Sequence, residues 1–308
     1  MKQCTALLLL LAFLQYTNAQ SIQRPYIQLL GTAQDAGYPQ MGCTRNCCAA
    51  AWKNNSLRKW VVSFALVDPA SKKWWLFEAT PDIKYQLQLF QQLNKGQYAF
   101  LPDGIFITHA HIGHYTGLMQ LGREVMNAQQ TPIYVLPKLK TFLETNGPWS
   151  QLVKLNNIHI HVLQPDSIQV INERIGVTPF TVPHRDEYSE TAGFSIRAGD
   201  KKILFIPDID KWQKWNRNIV QEITYADIAL IDATFYDSNE LPGRDIREIP
   251  HPLVTETVEL FKSSPVTIRN KVYFIHFNHT NPLLWNNSTQ KAVQQQGFHI
   301  AQQGAILQ

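Results

Sequence analysis

The feature that most constrains this chain is an apolar run at residues 104–108 that ends directly in His109-Ala110-His111-Ile112-Gly113-His114. A buried strand giving way to such a cluster puts several imidazoles on a loop at a strand end, where rigid scaffolds present ligands. Neutral imidazole is the commonest nitrogen ligand of zinc and also suits iron. An H-x-H pair on a turn can aim both rings at one ion, and a third ring three residues on reaches a neighbouring position. Packing gives no reason for three histidines in six residues, so metal binding is the first expectation.

Apolar runs before and after the cluster supply strands. Short β-rich runs lie at 26–30, 60–67 and 73–79, the last two joined by the turn Asp68-Pro69-Ala70-Ser71. The stretch 83–93 carries Ile83, Leu87, Phe90 and Leu93 on one helical face. A helical stretch at 115–128 and a strand at 133–136 follow the histidines. Further strands are expected at 158–163, 176–182, 192–197 and 202–206, with Gly199-Asp200 as the hairpin turn between the last two. A helical stretch at 212–223, a strand at 228–232, a helix at 253–262 and a strand at 271–276 complete the pattern. Alternation of this kind indicates layered α/β structure with sheets inside and helices outside. No repeat or linker divides the chain, so residues 20–308 are expected to form one domain, and the length suffices for a sizeable core.

The net charge of +4 is spread along the chain without basic runs, so charge indicates no nucleic-acid partner. Met1-Lys2, an apolar run at 6–14 and Thr17-Asn18-Ala19 before Gln20 read as a cleaved export signal over residues 1–19. The run is too short to span a bilayer, and a buried N-terminal helix is the alternative. The expectation is an exported protein, periplasmic or secreted, with no stable membrane anchor. Removal of the signal and its Cys4 leaves Cys43, Cys47 and Cys48, an odd number that cannot all pair internally in an oxidising compartment.

Three more positions fit the histidine centre, each at the end of an apolar run: His184 after Phe180-Thr181-Val182-Pro183, Asp208 after 203–207, and His276 after 272–275. Imidazoles and one carboxylate from strand ends suit one or two hydrolytic metals bridged by Asp208.

This set resembles the signature of the metallo-β-lactamase superfamily, H-x-H-x-D-H followed by spaced His, Asp and His. The resemblance is greatest to the branch holding the pyrroloquinoline quinone biosynthesis protein B and the cyclic phosphodiesterase of phosphonate breakdown. It runs from Ile27-Gln28-Leu29-Leu30-Gly31-Thr32-Ala33 to the C-terminal strand. Thr80-Pro81-Asp82, the stretch 183–188, Asp232-Ala233-Thr234-Phe235 and the stretch 276–282 look like that branch in particular. The resemblance implies a four-layer αβ/βα sandwich with metals at one edge. By position it implies that His109, His111 and His184 hold one ion, His114 and His276 a second, and that Asp208 bridges. One departure stands out: the family's aspartate before the last histidine of the cluster is Gly113 here. The second site then lacks its own carboxylate unless Asp186 or Asp210 completes it.

The segment at His251 resembles the family segment whose histidine lies near the scissile phosphate, which implies proton transfer by a ring whose ordinary pKa is near neutral. Asp232 ends a strand in the manner of a residue that orients a metal-bound histidine. In the phosphonate-pathway relative, cysteines in the corresponding loop and a histidine at the corresponding offset hold a structural zinc. The resemblance therefore implies a second centre of Cys43, Cys47, Cys48 and His279, with a Cys43–Cys48 or Cys43–Cys47 disulfide as the rival. His159, His161, His299 and the tryptophans Trp74, Trp75, Trp212 and Trp215 read as ordinary surface or packing residues.

The expected function is that of a metal-dependent hydrolase acting on a small molecule, phosphodiesters foremost, through a metal-activated water, with Asp208 and His251 as catalytic residues. Zinc is the expected metal, with iron or manganese as alternatives at the catalytic centre. The alternatives in function are an iron-dependent oxidoreductase of quinone-cofactor biosynthesis and a metal-binding protein without turnover.

Overall fold

Strands that are apolar on both faces must be covered on both, and that requirement sets the architecture. The computed structural model describes residues 24–308, so the signal expected at 1–19 lies outside the described residues. In chain order, β1 (Tyr26–Gly31), β2 (Ser63–Asp68), β3 (Lys73–Phe77), β4 (Ile105–Phe106), β5 (Thr131–Val135) and β6 (Ile158–Val162) build one sheet. A second sheet takes β7 (Gln169–Val170), β8 (Ile175–Val182), β9 (Thr191–Ala198), β10 (Lys201–Ile206), β11 (Ile228–Asp232), β12 (Val272–Ile275) and β13 (His299–Ile300). The last strand, β14 (Ile306–Leu307), returns to pair with β1 at the edge of the first sheet.

Each sheet is antiparallel at one end and parallel at the other. In the first, β3 to β6 run parallel; in the second, β10 to β13 do. Parallel strands deliver their C-terminal ends to one edge, and every ligand-bearing loop described below starts there.

The sheets meet face to face. Phe64, Phe77 and Phe106 stack along the first sheet at 4.4 and 4.8 Å, and Phe194 and Phe205 of the second meet them edge-on. Outside the first sheet the helix Ile83–Leu93 buries Ile83, Leu87 and Phe90, with Phe90 stacked on Trp74 at 4.0 Å. Outside the second, the helices Val254–Leu260 and Asn287–Gln295 bury Val254 and Val293. The result is the expected αβ/βα sandwich.

Two helical expectations fail. Over 115–128 the chain forms only the short helix Ile112–Tyr115 and the 3-10 run Thr116–Leu121. A side chain at Gly117 would strike the Thr80 carbonyl at 2.1 Å, so close packing against that segment overrides a regular α-helix. Over 212–223 the chain breaks at Trp215, and Asn218 caps the separate helix Ile219–Thr224. The cysteine segment, read as a loop, carries Cys47 and Cys48 on the helix Asn46–Lys53. Among the described residues no helix is long and apolar enough to cross a membrane.

Candidate metal centre

The strand ends place the predicted side chains around one point. Asp208 follows β10, Asp232 closes β11 and His276 follows β12, all on the edge to which those parallel strands point. His109 and His184 follow β4 and β8 in the same way. Asp208 lies at the middle. Its carboxylate is 3.5 Å from His109 Nε2, 3.6 Å from His114 Nε2, 3.2 Å from His184 Nε2 and 3.8 Å from His276 Nε2.

These groups are buried, yet His109 Nε2, His114 Nε2, His276 Nε2 and Asp208 Oδ1 have no aligned hydrogen-bond partner in the protein. Orphaned buried polar atoms cost roughly 1–3 kcal/mol each, so several facing one another call for a shared partner that is absent from the side-chain set. Donor atoms of His109, His111, His184 and Asp208 lie within 4.8 Å of one another, as do those of Asp35, His114 and His276. Nitrogen and carboxylate donors in this arrangement fit a zinc-like divalent ion.

Neighbouring groups fix which ring nitrogens face inward. Thr234 Oγ1 donates to Asp232 Oδ1 (2.7 Å) and so accepts from His276 Nδ1–H (2.8 Å), leaving Nε2 with its lone pair toward the centre. Glu187 accepts from His111 Nε2–H at 2.9 Å, leaving Nδ1 with its lone pair 3.2 Å from His184 Nε2. Thr108 Oγ1 lies 2.9 Å from His109 Nδ1, and Glu78 sits 3.5 Å from His114 Nδ1. Glu78 and His276 both adopt left-handed backbone (φ 73° and 68°), which for such residues costs of order 1–3 kcal/mol and concentrates at functional sites.

Burial holds the pKa of His109, His184 and His276 below the ordinary histidine range, His184 at about 4, so these rings stay neutral and able to coordinate. Burial opposes charge on Asp208 too, but the surrounding histidines, of which His251 carries the charge, hold its carboxyl well below the usual carboxylate range. His251 is buried against the same carboxylate, with Nδ1 3.2 Å from Asp208 Oδ1 and 2.9 Å from Asp232 Oδ2. Burial disfavours its charged form, yet Asp232 and Asp208 raise its pKa to about 10. Asp232 thus touches His251 directly and His276 through Thr234.

Asp186 and Asp210, considered for the second site, are engaged elsewhere: Asp186 accepts from the Thr191 hydroxyl, and Asp210 from Lys214 and its neighbour's backbone. Asp35, Glu78, Thr108, Glu187 and Thr234 escaped the sequence reading as site residues. Asp35 and Glu78 do follow strand-end runs, and that position was the available signal.

The second cluster brings Cys43, Cys47, Cys48 and His279 within 4.8 Å. The thiols are free, and Cys43 and Cys47 Sγ are 3.9 Å apart, nearly twice the length of a disulfide. Asn278 Oδ1 accepts from His279 Nδ1–H (3.1 Å), so Nε2 carries the lone pair, at present 2.9 Å from the Arg45 guanidinium. Three sulfurs and one imidazole match a closed tetrahedral zinc set. His159 is exposed on the edge strand β6, His161 is half-buried and stacks on Tyr134 at 4.9 Å at the end of the inner aromatic row, and Trp74, Trp75, Trp212 and Trp215 are packed in the interior.

Residues 73–277 match the model of the β-lactamase superfamily domain. Coenzyme PQQ synthesis protein B of Methylorubrum extorquens (strain PA1) is 26% identical, the match covering 92% of this chain and 99% of the relative. The crystal structure of zinc-bound PqqB from Methylobacterium extorquens superposes with a TM-score of 0.73 at 21% identity, covering 92% of this chain and 99% of the other. A new diphosphatase from the PhnP family superposes with a TM-score of 0.66 at 20% identity, covering 92% and 96%. These relatives come from the branch that the residue pattern resembles.

Proposed function

We propose, since the chain belongs to the β-lactamase superfamily, that it is a metal-dependent hydrolase of a small-molecule ester, with phosphodiesters favoured. The observation that carries this reading is the ring of unpartnered, buried nitrogen atoms closing on the Asp208 carboxylate. His109, His111 and His184 would hold one ion and His114 and His276 another, with Asp208 between them. A divalent ion in such a site acidifies water toward neutral pH and polarises the bond to be cleaved.

The chain's own groups supply the remainder. Asp208 sets a carboxylate at the middle of the ring nitrogens, where it would orient a metal-activated water. Asp232 accepts from His251 Nδ1–H, so the other ring nitrogen of His251 is left to pass a proton to a leaving alkoxide. The likeness to a PhnP-family diphosphatase supports a phosphoester substrate. Three free thiols that converge with His279 to within 4.8 Å support a structural zinc at the cysteine cluster. The N-terminal apolar run with its small-residue site supports export.

The test is turnover of bis-p-nitrophenyl phosphate by the zinc-loaded protein. His251→Asn is expected to lower kcat about 10²-fold or more with metal content unchanged, the usual range for removing a positioned acid. Unchanged kcat would remove the role given to His251, and a zinc-loaded wild type inert to phosphodiesters would overturn the substrate class.

A second reading is favoured by the 26% identity to PQQ synthesis proteins along nearly the whole chain: an iron-dependent oxidoreductase. Iron at the centre together with oxygen-dependent turnover would establish it over hydrolysis.

A further inference from the structure

Gly113 occupies the position where the family pattern has a metal-binding aspartate. An ideal Cβ built there would lie 2.1 Å from Asp35 Oδ1, 2.6 Å from Asp35 Cα and 2.9 Å from Asp35 Cγ. The space an aspartate at 113 would need is therefore filled by another aspartate, backbone included. We propose that Asp35 supplies the missing carboxylate, completing a second metal site with His114, His276 and the bridging Asp208.

Three observations carry this. Asp35 Oδ1 is buried without a hydrogen-bond partner, 3.3 Å from His114 Nε2. The Nε2 atoms of His114 and His276 are buried and unpartnered too, and one donor atom from each of the three residues falls within 4.8 Å of the others. Two imidazoles and a shared carboxylate hold a dication weakly; a further terminal carboxylate adds the charge and the oxygen ligand that the pattern otherwise draws from position 113.

The Asp35 segment is also fixed in place. Gln34 N–H donates to the Phe277 carbonyl (2.8 Å) and Phe277 N–H to the Thr32 carbonyl (2.9 Å), tying the loop to the residue beside His276. Gly37 N–H closes a turn on the Gln34 carbonyl (2.7 Å), and its φ of 69° is one that glycine adopts without strain. The carboxylate is thus delivered by a turn strapped to another ligand's strand. Glycine at 113 and aspartate at 35 form one exchange: the same donor reaches the same place from a different part of the chain.

This inference rests on the reading of the centre as a metal site and not on hydrolysis. Its test is zinc stoichiometry and affinity on the full chain, stripped with chelator and titrated with zinc alone. Asp35→Asn, which preserves shape, is expected to bind one zinc fewer per chain or to bind it at least about tenfold more weakly. Loss of groups that merely support ligands already has effects of that size. Asp35→Gly should share the loss. An unchanged circular dichroism spectrum and melting temperature of the metal-free protein show that each variant is folded.

Unchanged stoichiometry and affinity in Asp35→Asn would overturn the proposal. So would a wild type whose strand-end centre saturates with a single ion. A wild type that binds both centre ions but cleaves no phosphodiester would defeat the hydrolase reading and leave this one standing.

Discussion

Among the described residues, two clusters of side chains of the kinds that ligate metals are built in opposite ways. The strand-end centre draws its donors from Asp35, the run from His109 to His114, His184, Asp208 and His276, so it exists only once the two sheets have met. The cysteine cluster takes three donors from one short stretch and only His279 from a distance. Its donors are soft and form a closed set. Among the strand-end donors, which are nitrogen and oxygen atoms, Asp35 Oδ1, His109 Nε2, His114 Nε2, Asp208 Oδ1 and His276 Nε2 are left without aligned partners among the side chains. Closed thiolate sites contribute to folding, whereas nitrogen and carboxylate sites with an open position perform chemistry. Damage to one cluster should therefore appear in turnover and damage to the other in stability.

The largest expected effect is on turnover. His109→Ala should lower phosphodiesterase activity by about 10³-fold or more, as several kcal/mol of transition-state stabilisation would be lost. Its melting temperature measured on metal-free protein should stay close to wild type. A parallel loss of folded structure by circular dichroism would blur the division between the clusters.

Cys48→Ser should do the reverse. Cys48 is the fully buried thiol, on the helix Asn46–Lys53. Loss of its site should remove one zinc and lower the melting temperature by about 10 °C or more, while kcat measured well below that temperature is retained. Calorimetry with elemental analysis checks both. A stable variant with unchanged zinc would dissolve the comparison.

Thr234→Val keeps the side chain's shape and removes the hydroxyl between Asp232 and His276. The centre's zinc affinity should fall about 10- to 100-fold, with the cysteine cluster unaffected. Competition with a chromogenic chelator measures this.

The smallest effect concerns Glu240, close to the cysteine cluster, where burial raises the carboxyl pKa from 4.5 to about 6. A carboxyl whose folded pKa lies above its unfolded value disfavours the folded state when ionised. That penalty is absent below pH 4.5, grows between 4.5 and 6 and is complete above. Glu240→Gln should thus stabilise the protein by up to about 2 kcal/mol at pH 7–8 and not at pH 4. Denaturant melts at the two pH values test it.

The same contrast explains what could be read from the sequence. The run from His109 to His114 and the cysteine stretch are local patterns, visible as spacing. His184, Asp208 and His276 were legible because each terminates an apolar run, and parallel strands bring such ends together. Strand positions came through because apolar runs report burial on both faces. The segment 115–128 did not, because packing of Gly117 against Thr80 leaves no trace in local periodicity. Asp35 was hidden for a related reason: its approach to Gly113 is a tertiary contact between segments far apart in the chain. The glycine announced that something was missing but gave no direction to its replacement.

The most direct test of the central claim, that the strand-end cluster is a hydrolytic metal centre, is phosphodiester turnover through one cycle of chelation and zinc return. Wild type should lose hydrolysis of bis-p-nitrophenyl phosphate on chelation and regain it with zinc, while His109→Ala remains inactive throughout. Hydrolysis that persists after the metal is stripped, or that His109→Ala retains at the wild-type rate, would contradict it.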